Sequence, residues 1–115
     1  MIVVALLLAG GATGCSPAPR ADEATFDSEN PAAKLYAIQE AGDKRDARAV
    51  PDLIASLDSD DPAVRLFSIK ALEEITGQRY GYSAYDPPHT RSVAVDRWVK
   101  AYQAGELNKP TKDRS

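Results

Sequence analysis

The side chains most able to do chemistry are few in this sequence and stand apart from one another. His89 is the only histidine, and neither a nucleophile signature nor a second histidine accompanies it. We therefore expect a solvated loop histidine just before a helix cap at Thr90, rather than a catalytic base or a metal ligand. Asp58, Asp60 and Asp61 cluster, but they lack the twelve-residue ligand spacing of a calcium loop. Without a glycine-rich phosphate loop either, the sequence predicts neither an enzyme nor a bound cofactor or metal.

A second chemical feature is the tyrosine-rich segment 78–90, which holds Tyr80, Tyr82 and Tyr85. Tyrosine is common where one side of a residue is apolar and the other is wet, and long ordered loops are often functional. One interpretation is that these tyrosines contact a partner protein, a small ligand or the cell wall. The other is that the segment closes one end of the fold together with Trp98.

The only cysteine, Cys15, follows a stretch typical of an export signal. Residues 2–8 are apolar without a break, and the uncharged stretch ends in small residues. It is too short to span a bilayer, which takes about 20 residues. The residues Ala12-Thr13-Gly14-Cys15 resemble a bacterial lipobox. That resemblance implies cleavage before Cys15, lipid on its sulfur and new amino terminus, and anchoring to a bacterial membrane on the periplasmic or outer face.

These features divide the chain. We expect residues 1–14 to be the signal peptide and residues 15–29 to be the lipidated cysteine and a flexible tether, because this acidic stretch has a single large apolar residue, Phe26. A folded domain is expected over residues 30–104 and a disordered tail over 105–115. With 14 basic and 17 acidic residues and a net charge of −3, the chain lacks the basic footprint that nucleic-acid binding needs.

The elements that must position these residues are indicated by a repeat. Residues 30–38 (NPAAKLYAI) align with residues 61–69 (DPAVRLFSI) at an offset of 31. Each copy begins with an Asn or Asp that can cap a helix, followed by a proline suited to the first helical position. We expect helices over 31–41 and 62–76, ended by left-handed caps at Gly42 and Gly77.

Two further segments, 49–57 and 94–102, align at an offset of 45. The second unit therefore carries about 14 extra residues between its helices. Each segment has apolar residues at i, i+3, i+4 and i+7, which is one face of an amphipathic helix. These residues are Val50, Leu53, Ile54 and Leu57 in the first segment, and Val95, Trp98, Val99 and Tyr102 in the second. Pro51 marks the start of the first helix or a bend in it.

The opposite, polar faces of these two helices offer either an interaction surface or an ordinary solvated face. They carry Arg48, Asp52 and Ser56 in the first, and Arg97 and Lys100 in the second.

The repeat resembles HEAT repeats, particularly the short HEAT-like repeats of phycobilin lyases. The resemblance rests on Asp61-Pro62-Ala63-Val64-Arg65, Ala71-Leu72 and Ile75, preceded by Val50-Pro51-Asp52-Leu53-Ile54 and Leu57-Asp58, with a weaker copy at Asn30-Pro31, Lys34, Ala37 and Ala41. It implies a short α-solenoid of about two helix pairs, and proteins of this kind mostly bind other proteins. It also implies a structural role for Arg65, bonded to the turn carboxylates Asp58, Asp60 or Asp61.

The sequence therefore predicts an all-α, lipid-anchored protein–protein interaction module without catalytic activity. The alternative is a module that binds a small ligand or the cell wall through residues 78–90. Two repeats without a disulfide make a small core, so we also expect marginal stability or self-association.

Overall fold

A computed structural model describes residues 25–108. The predicted signal peptide, Cys15, most of the tether and the end of the tail lie outside the described residues. Within them, four α-helices follow one another: α1 (Pro31–Asp43), α2 (Val50–Ser56), α3 (Pro62–Thr76) and α4 (Pro88–Gln103). Short 3₁₀ turns cover Ala47–Ala49 and Glu106–Asn108. The predicted all-α class and the two helix pairs, α1–α2 and α3–α4, are confirmed.

The helix starts follow from local chemistry. The Asn30 side chain accepts a hydrogen bond from the Ala32 amide at 3.0 Å, and the Asp61 side chain accepts one from the Ala63 amide at 2.9 Å. Each bond satisfies one of the amides that an α-helix leaves without a partner in its first turn. A proline follows each cap inside the first turn, and Pro51 likewise lies in the first turn of α2.

The helix ends were predicted correctly for α3 and wrongly for α1. Gly77 takes a left-handed φ of 75° and donates to the Glu73 carbonyl at 2.8 Å. Gly42, in contrast, lies inside α1, and the left-handed position belongs to Arg45, with a φ of 49°. The Asp46 amide then donates back to the Ala41 carbonyl at 2.9 Å, as in a Schellman ending.

Gly42 is explained by packing rather than by capping. A Cβ added there would lie 2.9 Å from the Ala71 Cα and 2.6 Å from a Glu74 side-chain oxygen. The absence of a side chain therefore lets α1 and α3, the first helices of the two repeats, approach closely.

The core lies between the two helix pairs. It is formed by Ile38, Leu53, Leu57, Ile69, Leu72 and Trp98, with smaller residues between them. Phe26, in the predicted tether, packs partly buried against this core, and residues 25–28 form a hydrogen-bonded turn. In the predicted tail, Leu107 packs against the same core. The ordered domain therefore extends beyond the predicted helices at both ends.

The predicted apolar face of α4 is rotated in the structure. The fully buried positions are Ala94, Trp98 and Ala101, and Val95 is half-buried. Val99 and Tyr102, which align with the buried Ile54 of α2 and its C-cap Leu57, stay 37% and 42% exposed. The alignment therefore predicted the face of α2 correctly and that of α4 only in part. No helix of the described part of the chain is long and apolar enough to cross a membrane.

Candidate interaction surface

The segment between α3 and α4, residues 78–87, is called the insert below. Its first feature is a tight turn in which the Tyr82 amide donates to the Arg79 carbonyl at 3.0 Å. Both central residues are left-handed, with φ of 51° at Tyr80 and 73° at Gly81, as in a type I′ turn. A left-handed tyrosine is strained, so contacts elsewhere in the domain must stabilise the turn.

Those contacts come from side chains of the neighbouring helices, which donate to insert carbonyls. On α4, Trp98 Nε1 donates to Arg79 at 2.9 Å, Arg97 Nη1 to Tyr80 at 3.3 Å, and Arg91 Nη1 to Asp86 at 2.7 Å. On α3, Arg65 Nε donates to Ala84 at 3.3 Å. Buried backbone carbonyls need such partners. The insert is therefore fixed along its length by two helices.

Arg65 also holds the turn that joins the two repeats. Its Nη1 donates to the carbonyls of Ser59 at 2.9 Å and Asp60 at 3.1 Å. The side chain is buried. The partners are thus main-chain carbonyls, and the predicted bonds to the carboxylates of Asp58, Asp60 or Asp61 are not the ones that the structure contains. The physical reason is geometric: Asp61 uses its carboxylate to cap α3, and the three aspartates are exposed.

The three tyrosines of the insert differ in exposure. Tyr82 is buried, and its hydroxyl donates to the Leu57 carbonyl at 2.6 Å. The half-buried Tyr80 ring meets Trp98 edge-on, with ring centroids 4.8 Å apart. Tyr85 is 79% exposed. Tyr80 and Tyr82 therefore belong to the packing of the domain, as the capping interpretation requires, and only Tyr85 presents its ring to solvent.

Burial also changes the acidity of two of these phenols. It raises the pKa of Tyr82, because the phenolate would lose its hydration in the core. Burial, reinforced by the nearby Glu106 carboxylate, raises the pKa of Tyr80 in the same direction. Both hydroxyls therefore stay protonated at neutral pH, and Tyr82 remains a hydrogen-bond donor there.

The residues of the two predicted polar faces differ in exposure and in bonding. Arg97 is exposed but bonded to the insert, while Lys100 is exposed on α4 and takes part in no ion pair among residues 25–108. On the other pair, Arg48 bonds the Asp46 carboxylate, and Ser56 is buried with its hydroxyl on the Asp52 carbonyl at 2.9 Å.

His89 is exposed, but it lies in the first turn of α4 and not in a loop, and Thr90 does not cap the helix. The helix begins earlier than predicted because Pro88 suits its first turn. Arg91, which the sequence analysis did not single out, holds the end of the insert; an arginine on a polar helix face carries no signal of such a contact. Within the described range, no group of His, Cys, Asp or Glu side chains could hold a metal ion.

Helix pairs stacked around one core define an α-solenoid. The chain matches HEAT repeats over residues 22–85, which are 64 of its 115 residues. It therefore belongs to the HEAT repeat family. The match ends before α4 begins at Pro88. Neither the curated proteins nor the solved structures gave a match to the chain. HEAT repeats are commonly protein-interaction scaffolds.

Proposed function

We propose that the protein is a non-catalytic interaction module that binds another protein through the insert, with Tyr85 as the anchor. The observation that carries this proposal is the combination of a rigid backbone and an exposed ring. Side chains of α3 and α4 fix the carbonyls on both sides of Tyr85, at Ala84 and Asp86. Its ring is nevertheless 79% exposed.

A ring held in this way suits protein binding for two reasons. Tyrosine is enriched among the residues that carry most of the binding energy of interfaces. A side chain on a fixed backbone also loses less conformational freedom when a partner covers it. Membership of the HEAT repeat family supports the same class of function. The resemblance to the HEAT-like repeats of phycobilin lyases stays a prediction and adds no chemistry to the proposal.

The second half of the proposal concerns attachment to a membrane. Cys15, preceded by an apolar stretch with small residues before the cysteine, would carry lipid and hold the domain at a bacterial membrane surface. Two or more acyl chains are needed for stable anchoring. The Cys15→Ser variant should therefore move from the membrane fraction to the soluble fraction. Mass analysis of the unaltered protein should find a lipid-modified amino terminus at residue 15; an unmodified Cys15 would refute this half.

The protein-binding half is tested by affinity capture from detergent-solubilised membranes with the full chain. Tyr85→Ala should reduce recovery of a specific partner at least tenfold without changing the thermal unfolding midpoint, because its ring packs little within the domain. Tyr36→Ala is the matched control, since Tyr36 is also exposed but lies on α1. Equal recovery with Tyr85→Ala, or no protein recovered by the unaltered chain, would refute this half. Recovery of cell-wall material instead would favour the alternative function.

A further inference from the structure

The exposed ring of the insert shares its surface with a second segment of the chain. One guanidinium, that of Arg65, donates to the Ala84 carbonyl at 3.3 Å and to the Asp60 carbonyl at 3.1 Å. The buried tyrosine of the insert joins the same two segments, because its hydroxyl donates to the last carbonyl before this turn at 2.6 Å. The turn over residues 58–61 and insert residues 84–86 therefore form one surface, which is called the ring surface below.

The exposed charge of the ring surface is negative. Its carboxylates take part in no ion pair among residues 25–108, and all but the half-buried last one are exposed: Asp58, Asp60, Asp61 and Asp86. The two arginines beside them already serve main-chain carbonyls. Arg65 is buried, and the half-buried Arg91 donates to the Asp86 carbonyl at 2.7 Å. The ion pairs of the described residues lie instead at or just beyond the C-terminal ends of α1 and α3.

We propose that the partner presents a lysine or arginine side chain to the ring surface, with the cation over the Tyr85 ring and the carboxylates around it. A cation within about 6 Å of the centre of an aromatic ring is attracted to the face of that ring. The ring is 79% exposed, so its face is accessible. This inference rests on the proposed function, because it describes what the same ring would bind.

The charge of the ring surface disfavours other kinds of partner. An apolar surface placed over it would remove carboxylates from water without giving them a counter-charge, which costs free energy. An acidic partner would place like charges opposite one another. A basic segment avoids both costs, because the carboxylates gain charged hydrogen-bond donors as their water leaves.

Neutralising the turn carboxylates tests the inference. The full chain carrying Asp58→Asn, Asp60→Asn and Asp61→Asn should keep its fold, since asparagine can cap α3 as Asn30 caps α1. In affinity capture from detergent-solubilised membranes, this turn variant should recover at least tenfold less of the partner than the unaltered chain. Circular dichroism checks that the variant is folded.

A matched control separates local charge from net charge. Asp43→Asn, Asp52→Asn and Asp96→Asn change the net charge by the same amount at exposed positions on α1, α2 and α4. This control variant should recover as much partner as the unaltered chain. Salt supplies a second measurement: raising the ionic strength from about 0.05 M to about 0.5 M screens exposed charges. It should reduce recovery by the unaltered chain severalfold.

The outcomes distinguish this inference from the proposed function. Equal recovery by the turn variant and the unaltered chain, an equal loss in the control variant, or recovery that salt does not change would each overturn the inference. If Tyr85→Ala still lost the partner in that case, the proposed function would stand, and only the basic character of the partner would be wrong. Recovery of no protein by the unaltered chain would refute both.

Discussion

The second helices of the two repeats differ in how far they bury their aligned apolar residues. In repeat one, the three stripe residues within the short helix α2 and its C-cap Leu57 are all buried. In repeat two, the longer helix α4 buries Trp98 but leaves the aligned Val99 and Tyr102 partly exposed. Repeat two instead uses α4 to hold the insert, through Trp98, Arg97 and Arg91. The first helix of each repeat therefore has to pack against the other repeat, whereas the second helix can make other contacts, as α4 does with the insert.

The same asymmetry appears in the aligned cations Lys34 and Arg65. Arg65 follows a turn, Ser59–Asp60, and precedes the insert, and both supply carbonyls to its guanidinium. In the part of the chain that the structure describes, no helix pair precedes Lys34 to supply such a turn, and Lys34 is only half-buried. A planar group with several fixed donors suits three separate carbonyls, which an ammonium group cannot reproduce.

The largest predicted effect tests this difference between Arg65 and Lys34. Arg65→Leu should lower the free energy of unfolding by about 3 kcal/mol, because it leaves buried carbonyls without donors. Lys34→Leu should change it by no more than about 0.5 kcal/mol. Urea unfolding of the two variants, followed by circular dichroism, measures both. Equal losses would mean that the two positions are equivalent and that the contacts of Arg65 add no stability.

A second prediction concerns the two glycines near the ends of the first helices. Gly42→Ala should cost about 2 kcal/mol, because its Cβ would meet the backbone of Ala71. Gly77→Ala should cost about 1 kcal/mol, because an alanine is strained at a φ of 75°.

Asparagine distinguishes the two causes. It tolerates the left-handed region, so Gly77→Asn should be milder than Gly77→Ala. At Gly42 the larger side chain should be worse than alanine. Thermal unfolding of the four variants checks this order. If Gly42→Asn lost less stability than Gly42→Ala, the result would support the capping role that the sequence predicted for Gly42.

These glycines also show what a sequence can and cannot predict. The start of α3 at Pro62 and its end at Gly77 follow from contacts within one turn, so local residues predict them. The role of Gly42 depends on Ala71 and Glu74, which are distant in sequence, and no local pattern contains that contact. The alignment of α4 with α2 assumed equivalent neighbours, but within residues 25–108 no further helix pair stacks on repeat two as repeat two stacks on repeat one. Three of the four donors to the insert, Arg65, Arg97 and Trp98, are likewise 17 or 19 residues from the carbonyls that they bond.

The third prediction tests the bond by which repeat two holds the end of repeat one. Tyr82→Phe should lower the free energy of unfolding by about 1.5 kcal/mol, because the Leu57 carbonyl at the end of α2 loses its donor. Tyr85→Phe, at an exposed hydroxyl, should leave stability unchanged. An equal loss of stability in both variants would show that the buried hydrogen bond of Tyr82 is not the cause of that loss.

The raised pKa of Tyr82 adds a pH dependence to this comparison. Folding favours its protonated form, so this contribution is fully present below the unfolded tyrosine pKa of about 10 and is lost as the pH rises through the higher folded pKa. Urea unfolding at a series of alkaline pH values should show a shallower loss of stability for Tyr82→Phe than for the unaltered chain. Parallel curves would assign the alkaline loss to other groups.

The smallest predicted effect comes from a single atom that differs between the first helices. Ser68 of α3 aligns with Ala37 of α1, and its fully buried hydroxyl has no hydrogen-bond partner. Ser68→Ala should therefore raise the free energy of unfolding by about 0.5 kcal/mol, since it removes an unpaired polar group from the core. The reverse change, Ala37→Ser, should lower it by about 1 kcal/mol because it adds one. If Ser68→Ala destabilised the domain instead, the hydroxyl would have a partner in solution, and the two first helices would be less alike in their packing than their sequences suggest.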